Sequence, residues 1–333
     1  MSTISRPETS EATGPGLRLR GWLGYAVLLA VLLAVLLIFA LGSEHFLTGA
    51  NLSTILTQAS VFAIAGVGLA VVIINGGDDV LNGGIDLSTG AVAGLSGTVT
   101  ALALSHGTPA GLSILLGVGL AALIGLINGA AVSAGLRPLL ATLATMGVAA
   151  SLELVFSQNL KIGIDNQFFT TLRTGSLAGL PVSVWLMLLI GALGWWVFAK
   201  TSWGVNSYAV GQNATAAKVA GLRVSGYRFT SYLASSILAG VAGVLLASRL
   251  SAAVPGIGTQ ILLDIVLVAY MSMIFSSRQL VSVPGTVLAA VFVAALDNGL
   301  TLLGVASQWV GAAKGVLILA VLASITLRGR NNR

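Results

Sequence analysis

Residues 22–41 read WLGYAVLLAVLLAVLLIFAL, twenty residues without a charge. At 1.5 Å per helical residue such a run is about 30 Å long, the thickness of a bilayer's hydrocarbon core. Arg18 and Arg20 stand just before it. Ala40, Leu41 and Gly42 loosely resemble a cleavage site. The run nevertheless exceeds the ~7–15 apolar residues of a cleaved signal, so an uncleaved first helix is expected.

Similar runs recur along the chain. Ten spans are expected, at 22–42, 52–74, 86–105, 110–133, 138–157, 182–199, 229–248, 260–276, 284–303 and 308–327. The third is the weakest, being glycine-rich and opening on Asp86. The reading is an all-α, polytopic membrane protein of about ten helices. The 333 residues are 56% hydrophobic and only 8% charged, against about 25% in soluble domains, so a soluble fold could not cover its surface. The 42 glycines suit a membrane bundle, where small residues bring helices close.

An even number of spans puts both termini on one side. With that side inside, the cytoplasmic segments carry Arg6, Arg18, Arg20, Arg137, Lys200, Lys218, Arg223, Arg228, Arg278, Arg328, Arg330 and Arg333. The outer loops carry only Lys161, Arg173 and Arg249. This is the positive-inside pattern, and it makes the net charge of +6 a topology signal. No basic-aromatic stripe of the nucleic-acid type is present, and no nucleic-acid partner is expected. Residues 1–21 are a cytoplasmic tail, 22–327 one membrane domain and 328–333 a second cytoplasmic tail. A polar loop at 158–181 lies outside, and a loop at 200–228 lies inside.

Chemistry is sparse. The chain has no cysteine, so thiolate metal sites, disulfides and thiol catalysis are excluded. His45 and His106 both fall in outer loops and are too few for a metal site. No nucleophile–base set and no Walker A sequence occurs, so no catalytic residue, metal or cofactor is expected. If ATP drives this protein, another chain binds it.

Ionisable groups inside spans are costly and therefore informative. Here they are Asp86, Glu153, Asp264, Asp297 and Lys314. Asp86 follows Gly83 and Gly84 in NGGIDLSTG, residues 82–90, with Ser88 two positions on. Glycines before a helix with Asp and Ser at its start give either an ordinary helix cap or a broken helix lining a path. Asn128 and the Asp297-Asn298 pair sit in similar strings, GLING at 125–129 and ALDNG at 295–299, on oppositely directed spans. That hints at an inverted repeat. Their amides read as interhelical hydrogen bonds or as solute contacts. For Asp264, Glu153 and Lys314, pairing or a solvated position is expected rather than a site, Lys314 by snorkelling outward. In the inner loop, Asn213 can cap a short helix beginning at Ala214, with Gly221 as its stop. That helix reads as a docking element or as a solvated connector.

Four segments in order resemble the ribose/galactose-type permeases of bacterial ABC importers, the broad group that includes branched-chain amino-acid permeases. They are GGIDLSTG at 83–90; GLING at 125–129 with Pro138 and ATLATM at 141–146; the loop from Thr201 to Leu222 with YAVGQN at 208–213 and Ala216-Ala217; and NGL at 298–300 with LGV at 303–305. The resemblance implies a permease in the bacterial inner membrane, paired with a second permease as homodimer or heterodimer. It implies two cytoplasmic ABC ATPase subunits and a periplasmic solute-binding protein. Tyr208, Gly211, Asn213, Ala216, Ala217 and Gly221 would form the ATPase-coupling loop. Gly83, Gly84, Asp86, Ser88, Asn128, Asp297 and Asn298 become candidates for the translocation pathway, and a sugar-like solute is expected. The chain departs from the group's pattern at Leu262, Ser272-Met273, Arg278-Gln279 and Val205, and in the extra turn at 75–82. From the residues alone, the competing reading is an ion-coupled secondary transporter using Asp86 or Asp297.

Overall fold

The computed structural model of the chain describes residues 30–77, 84–276, 280–306 and 308–319. The two terminal tails, Gly83, the Asp78-Asp79 pair and Arg278-Gln279 lie outside the described residues. The long helices are α2 (Gly49–Gly76), α4 (Ala110–Ser133), α5 (Pro138–Ser157), α7 (Val182–Lys200), α10 (Val224–Leu250) and α12 (Val283–Leu302). All six are long and apolar enough to cross a membrane. Four shorter apolar helices, α1 (Ala30–Gly42), α3 (Thr89–Ser105), α11 (Ile257–Met271) and α13 (Gln308–Leu319), fall where the remaining four spans are expected. The loops add α6 (Gln167–Thr174), α8 (Ser202–Gln212) and α9 (Ala214–Val219).

α2 is the axis of the bundle. From Ala59 to Asn75 it is buried on every side, the signature of a helix enclosed by others. α10, α11, α12 and α7 pack around it. α4, α5 and α7 instead leave rows of large apolar side chains exposed, among them Leu115, Leu143, Leu189 and Trp196. In water such a surface would aggregate, and in a bilayer it is solvated by lipid.

Small residues set the inner spacings. A Cβ placed on Gly243 of α10 would lie 1.9 Å from the Ala93 carbonyl oxygen of α3, so only glycine permits this approach. At the same seam Ser96 Oγ donates to Gly240 O at 3.0 Å. Helix contacts in membranes are held by such close packing and short polar links, since burial against lipid gives no net hydrophobic gain.

The ends of the helices sort into two groups. At one end, strand β1 (Ile162–Gly163) pairs antiparallel with β4 (Ala252–Ala253), tying the 158–181 loop to the α10–α11 turn. The start of α2 meets α12 there through Asn51 and Asn298. A second small ribbon, β2 (Ser176–Leu177) with β3 (Leu180–Pro181), closes the same loop. At the other end, Ser133 Oγ of α4 donates to Ser225 O of α10, and Tyr208 of α8 reaches Val281 before α12. The topology expected from the charge pattern would put the first group outside and the second inside.

Several boundaries move. α3 starts at Thr89 rather than 86, and α10 spans Val224–Leu250 rather than 229–248. Arg249, expected in an outer loop, therefore stands in the last turn of α10.

Candidate functional site

The expected site residues among those described fall into three places. The first is the segment ahead of α3. Residues 84–86 are non-helical yet buried, and the Ile85 carbonyl accepts from Tyr232 Oη at 3.1 Å. Irregular backbone at this depth is tolerated because protein surrounds it. Gly84 lies against α2, where a Cβ would come 2.1 Å from Val72 O. Asp86 does not cap α3 directly. Its Oδ1 accepts from Ser88 N at 3.0 Å and Ser88 Oγ at 2.6 Å, closing an Asx-type turn. Its Oδ2 accepts from Ser235 Oγ of α10 at 2.9 Å. Ser88 Oγ accepts from Asn128 Nδ2 at 3.0 Å, and Asn128 Oδ1 accepts from Thr145 Oγ1 at 2.8 Å. One chain of hydrogen bonds thus joins α10, the broken segment, α4 and α5. Asp86, Ser88 and Asn128 have no solvent exposure.

The second place is a cavity of about 640 Å³ between α2, α10, α11, α12 and α13, at the end that carries the β1–β4 ribbon. Asp297 and Asn298 line it. Lys314 Nζ lies 2.5 Å from Asp264 Oδ1 and 2.8 Å from Asp297 Oδ1, so one ammonium serves carboxylates of two other helices. Asp297 Oδ2 also accepts from Gln58 Nε2 at 3.1 Å, and Gln58 Oε1 accepts from Arg249 Nη2 at 3.0 Å. Asn298 and Asn51 exchange two amide hydrogen bonds of 2.8 Å. Pairing is what a charge at membrane depth requires. Lys314 meets that need inside the bundle, instead of snorkelling outward. Sequence reading left Asp264 and Lys314 between pairing and a solvated position, and did not join them to Asp297. It did not single out Gln58, and it placed Arg249 in an outer loop. The available signal was that Lys314 is the one cation inside a predicted span, which demands an acidic partner. Glu153 is separate: its Oε1 accepts from Gly256 N at 3.1 Å, at the start of α11.

The third place is the loop at 200–228, expected on the inner side. Thr201 Oγ1 accepts from Gly204 N at 3.2 Å and starts α8. Asn213 Oδ1 accepts from Ala216 N at 2.9 Å and caps α9, and Gly221 at φ +88° ends that turn, as expected. α8 is fastened to the bundle. Trp203 packs edge-on against Phe198 and stacks on Tyr227, with ring centres 5.5 and 6.1 Å apart. Tyr208 Oη donates to Val281 O at 3.0 Å. Gly211 touches the end of α2 so closely that a Cβ would lie 2.0 Å from Ile74 O. α9 stands proud of this base: Ala217 faces inward and is buried, while Ala216, Lys218 and Val219 are exposed.

Comparison with known proteins places the chain in a family. The family described as branched-chain amino acid transport system / permease component matches residues 51–322. The chain is 31% identical over 308 residues to the probable ABC transporter permease protein YphD of Escherichia coli strain K12, covering 92% of this chain and 91% of that protein. It is 30% identical over 305 residues to the ribose import permease protein RbsC of the same strain, covering 90% and 93%. A shorter match, 30% over 144 residues, joins it to the xylose transport system permease protein XylH of Haemophilus influenzae, covering 43% and 38%.

Proposed function

The chain belongs to this family of transport-system permease components, and on that premise we propose that it is the membrane-spanning subunit of a binding-protein-dependent ABC importer for a sugar or sugar-like solute. It is a multi-pass membrane protein of the sugar ABC permease group. The finer reading places it in the bacterial inner membrane with ten spans and both termini inside. It works there with a second permease subunit, identical or different, and with two cytoplasmic ATPase subunits. A periplasmic binding protein delivers the solute at the outer face. No catalytic residue is assigned to this chain, because its work is a population shift between outward- and inward-facing states.

The observation that carries this reading is the construction of the inner loop. A short capped helix that exposes Ala216, Lys218 and Val219 is held on a base packed against the bundle. Force applied to α9 has two routes inward. One passes through α8 to the end of α2 at the Gly211 contact. The other passes through residues 220–223 into α10, which carries Tyr232 and Ser235 to the Asp86 network. We assign Asp86, Ser88 and Asn128 to the joint that this movement repacks, and Asp297 and Asn298 to the outer part of the path. Ala216→Arg tests the docking face, because Ala216 is exposed and its replacement leaves the loop's own packing alone. An ATPase subunit that co-purifies with the wild-type chain and is lost from a monodisperse Ala216→Arg variant supports the assignment. Absence of any ATPase from the intact wild type in mild detergent contradicts it.

A further inference from the structure

Resting on the importer reading, we propose that the cavity between α2, α10, α11, α12 and α13 is a binding station for a neutral, polyhydroxylated solute. Three observations lead there. The first is size: about 640 Å³ lies within the ~300–1,000 Å³ usual for small-molecule sites. The second is charge. The charged residues lining the cavity are Asp264, Asp297, Arg249 and Lys314, two anions against two cations. Lys314 is already bound to both carboxylates, and Arg249 is turned to Gln58. A charged solute would have to carry an uncompensated charge into a lining whose own charges already sum to zero. A neutral solute need not. The third is the mixture of walls. Gln58, Asn298, Thr54 and Thr301 offer donors and acceptors, while Phe62 and Ile261 offer apolar surface. A ring with hydroxyls on its edge and C–H groups on its faces matches both. A branched aliphatic amino acid matches neither the paired charges nor the polar edge.

The absence of cysteine makes the station directly testable, because any introduced thiol is the sole one. Thr54 and Thr301 are exposed at the cavity and nearly the size of cysteine. Thr170, exposed on the outer loop away from the cavity, is the control. Single variants Thr54→Cys, Thr301→Cys and Thr170→Cys are labelled in intact cells with a membrane-impermeant thiosulfonate. The probes are D-ribose, D-xylose, D-galactose, myo-inositol, D-gluconate and L-leucine. The station predicts that all three thiols react from outside. At least one neutral polyol then slows labelling at positions 54 and 301, by about tenfold at ten times its dissociation constant. Gluconate, leucine and position 170 show no such effect. Adding Asp297→Asn to Thr301→Cys, in a variant that still inserts and labels, removes the protection.

Thiols at 54 and 301 that no polyol protects, that gluconate protects equally, or that do not react from outside overturn the station. ATPase capture by the wild-type chain is a separate measurement. Lost protection with retained capture rejects the station alone, and lost capture with retained protection rejects the importer reading alone.

Discussion

Lys314 on α13 and Asp297 on α12 form a two-pronged ion pair, with Nζ 2.8 Å from one carboxylate oxygen and 2.9 Å from the other. The same ammonium also holds Asp264 of α11. Three helices that meet around the cavity are thus pinned at one point. Removing the cation leaves the Asp264 and Asp297 carboxylates facing each other with no cation between them. Lys314→Met is expected to lose about 3–5 kcal/mol of stability, the usual cost of breaking a buried pair. Lys314→Met with Asp264→Asn restores charge balance and should recover a good part of it. Thermal unfolding in detergent reads both. A Lys314→Met protein as stable as wild type would show that the pair does not fasten these helices.

At the broken segment before α3, Asp86 accepts three hydrogen bonds from Ser88 and Ser235. Asp86→Leu leaves those donors unmet in a buried place, at about 1–3 kcal/mol for an unsatisfied group. Asp86→Asn keeps an acceptor for Ser88, and the Ser235 hydroxyl can turn to accept from the new amide. Asp86→Leu should therefore unfold well below Asp86→Asn in the same thermal assay. Equal losses would mean that the carboxylate's charge, not its hydrogen bonding, shapes the segment.

Two glycines of the inner loop separate contact from conformation. Gly211→Ala forces a methyl onto the Ile74 carbonyl and should push α8 off α2, at about 1–3 kcal/mol for overpacking. Gly221→Ala meets open space and bears only the strain of its positive φ, about 1 kcal/mol. If the Gly211 contact transmits force, Gly211→Ala lowers ATP-driven uptake more than Gly221→Ala even among equally expressed proteins. The reverse order would move the transmission route to residues 220–223.

The cap of α9 is a single interaction, Asn213 Oδ1 to Ala216 N. Asn213→Ala removes it at about 1 kcal/mol, whereas Asn213→Asp and Asn213→Ser can both replace it. ATPase co-purification should fall with alanine and survive with aspartate or serine. Loss with all three would mean that the asparagine itself touches the partner.

The bundle was legible because hydropathy is additive along a chain. Runs such as 110–133 and 138–157 need no partner to be recognised, and their ends match α4 and α5. The cap at Asn213 and the stop at Gly221 were legible for the same reason, since both are local. Pairings were not. Lys314, Asp297 and Asp264 stand on three helices, and nothing in their spacing brings them together. Gln58 was invisible because one amide barely alters an apolar run, and Arg249 because a boundary error of two residues hid it in a loop. Asp86 drew notice through its glycines, but its turn depends on Ser235, far along the chain.

The central claim is that ATP hydrolysis on a separate subunit drives a sugar through this chain. Proteoliposomes holding the purified complex, with a saturated binding protein on the binding-protein face and ATP on the other, test it most directly by uptake of radiolabelled D-ribose and D-xylose. Uptake of at least one sugar that requires ATP, stops with Ala216→Arg and ignores a collapsed proton or sodium gradient is the predicted result. Uptake without ATP that follows an ion gradient would contradict the account and turn it to ion-coupled transport through Asp86 or Asp297.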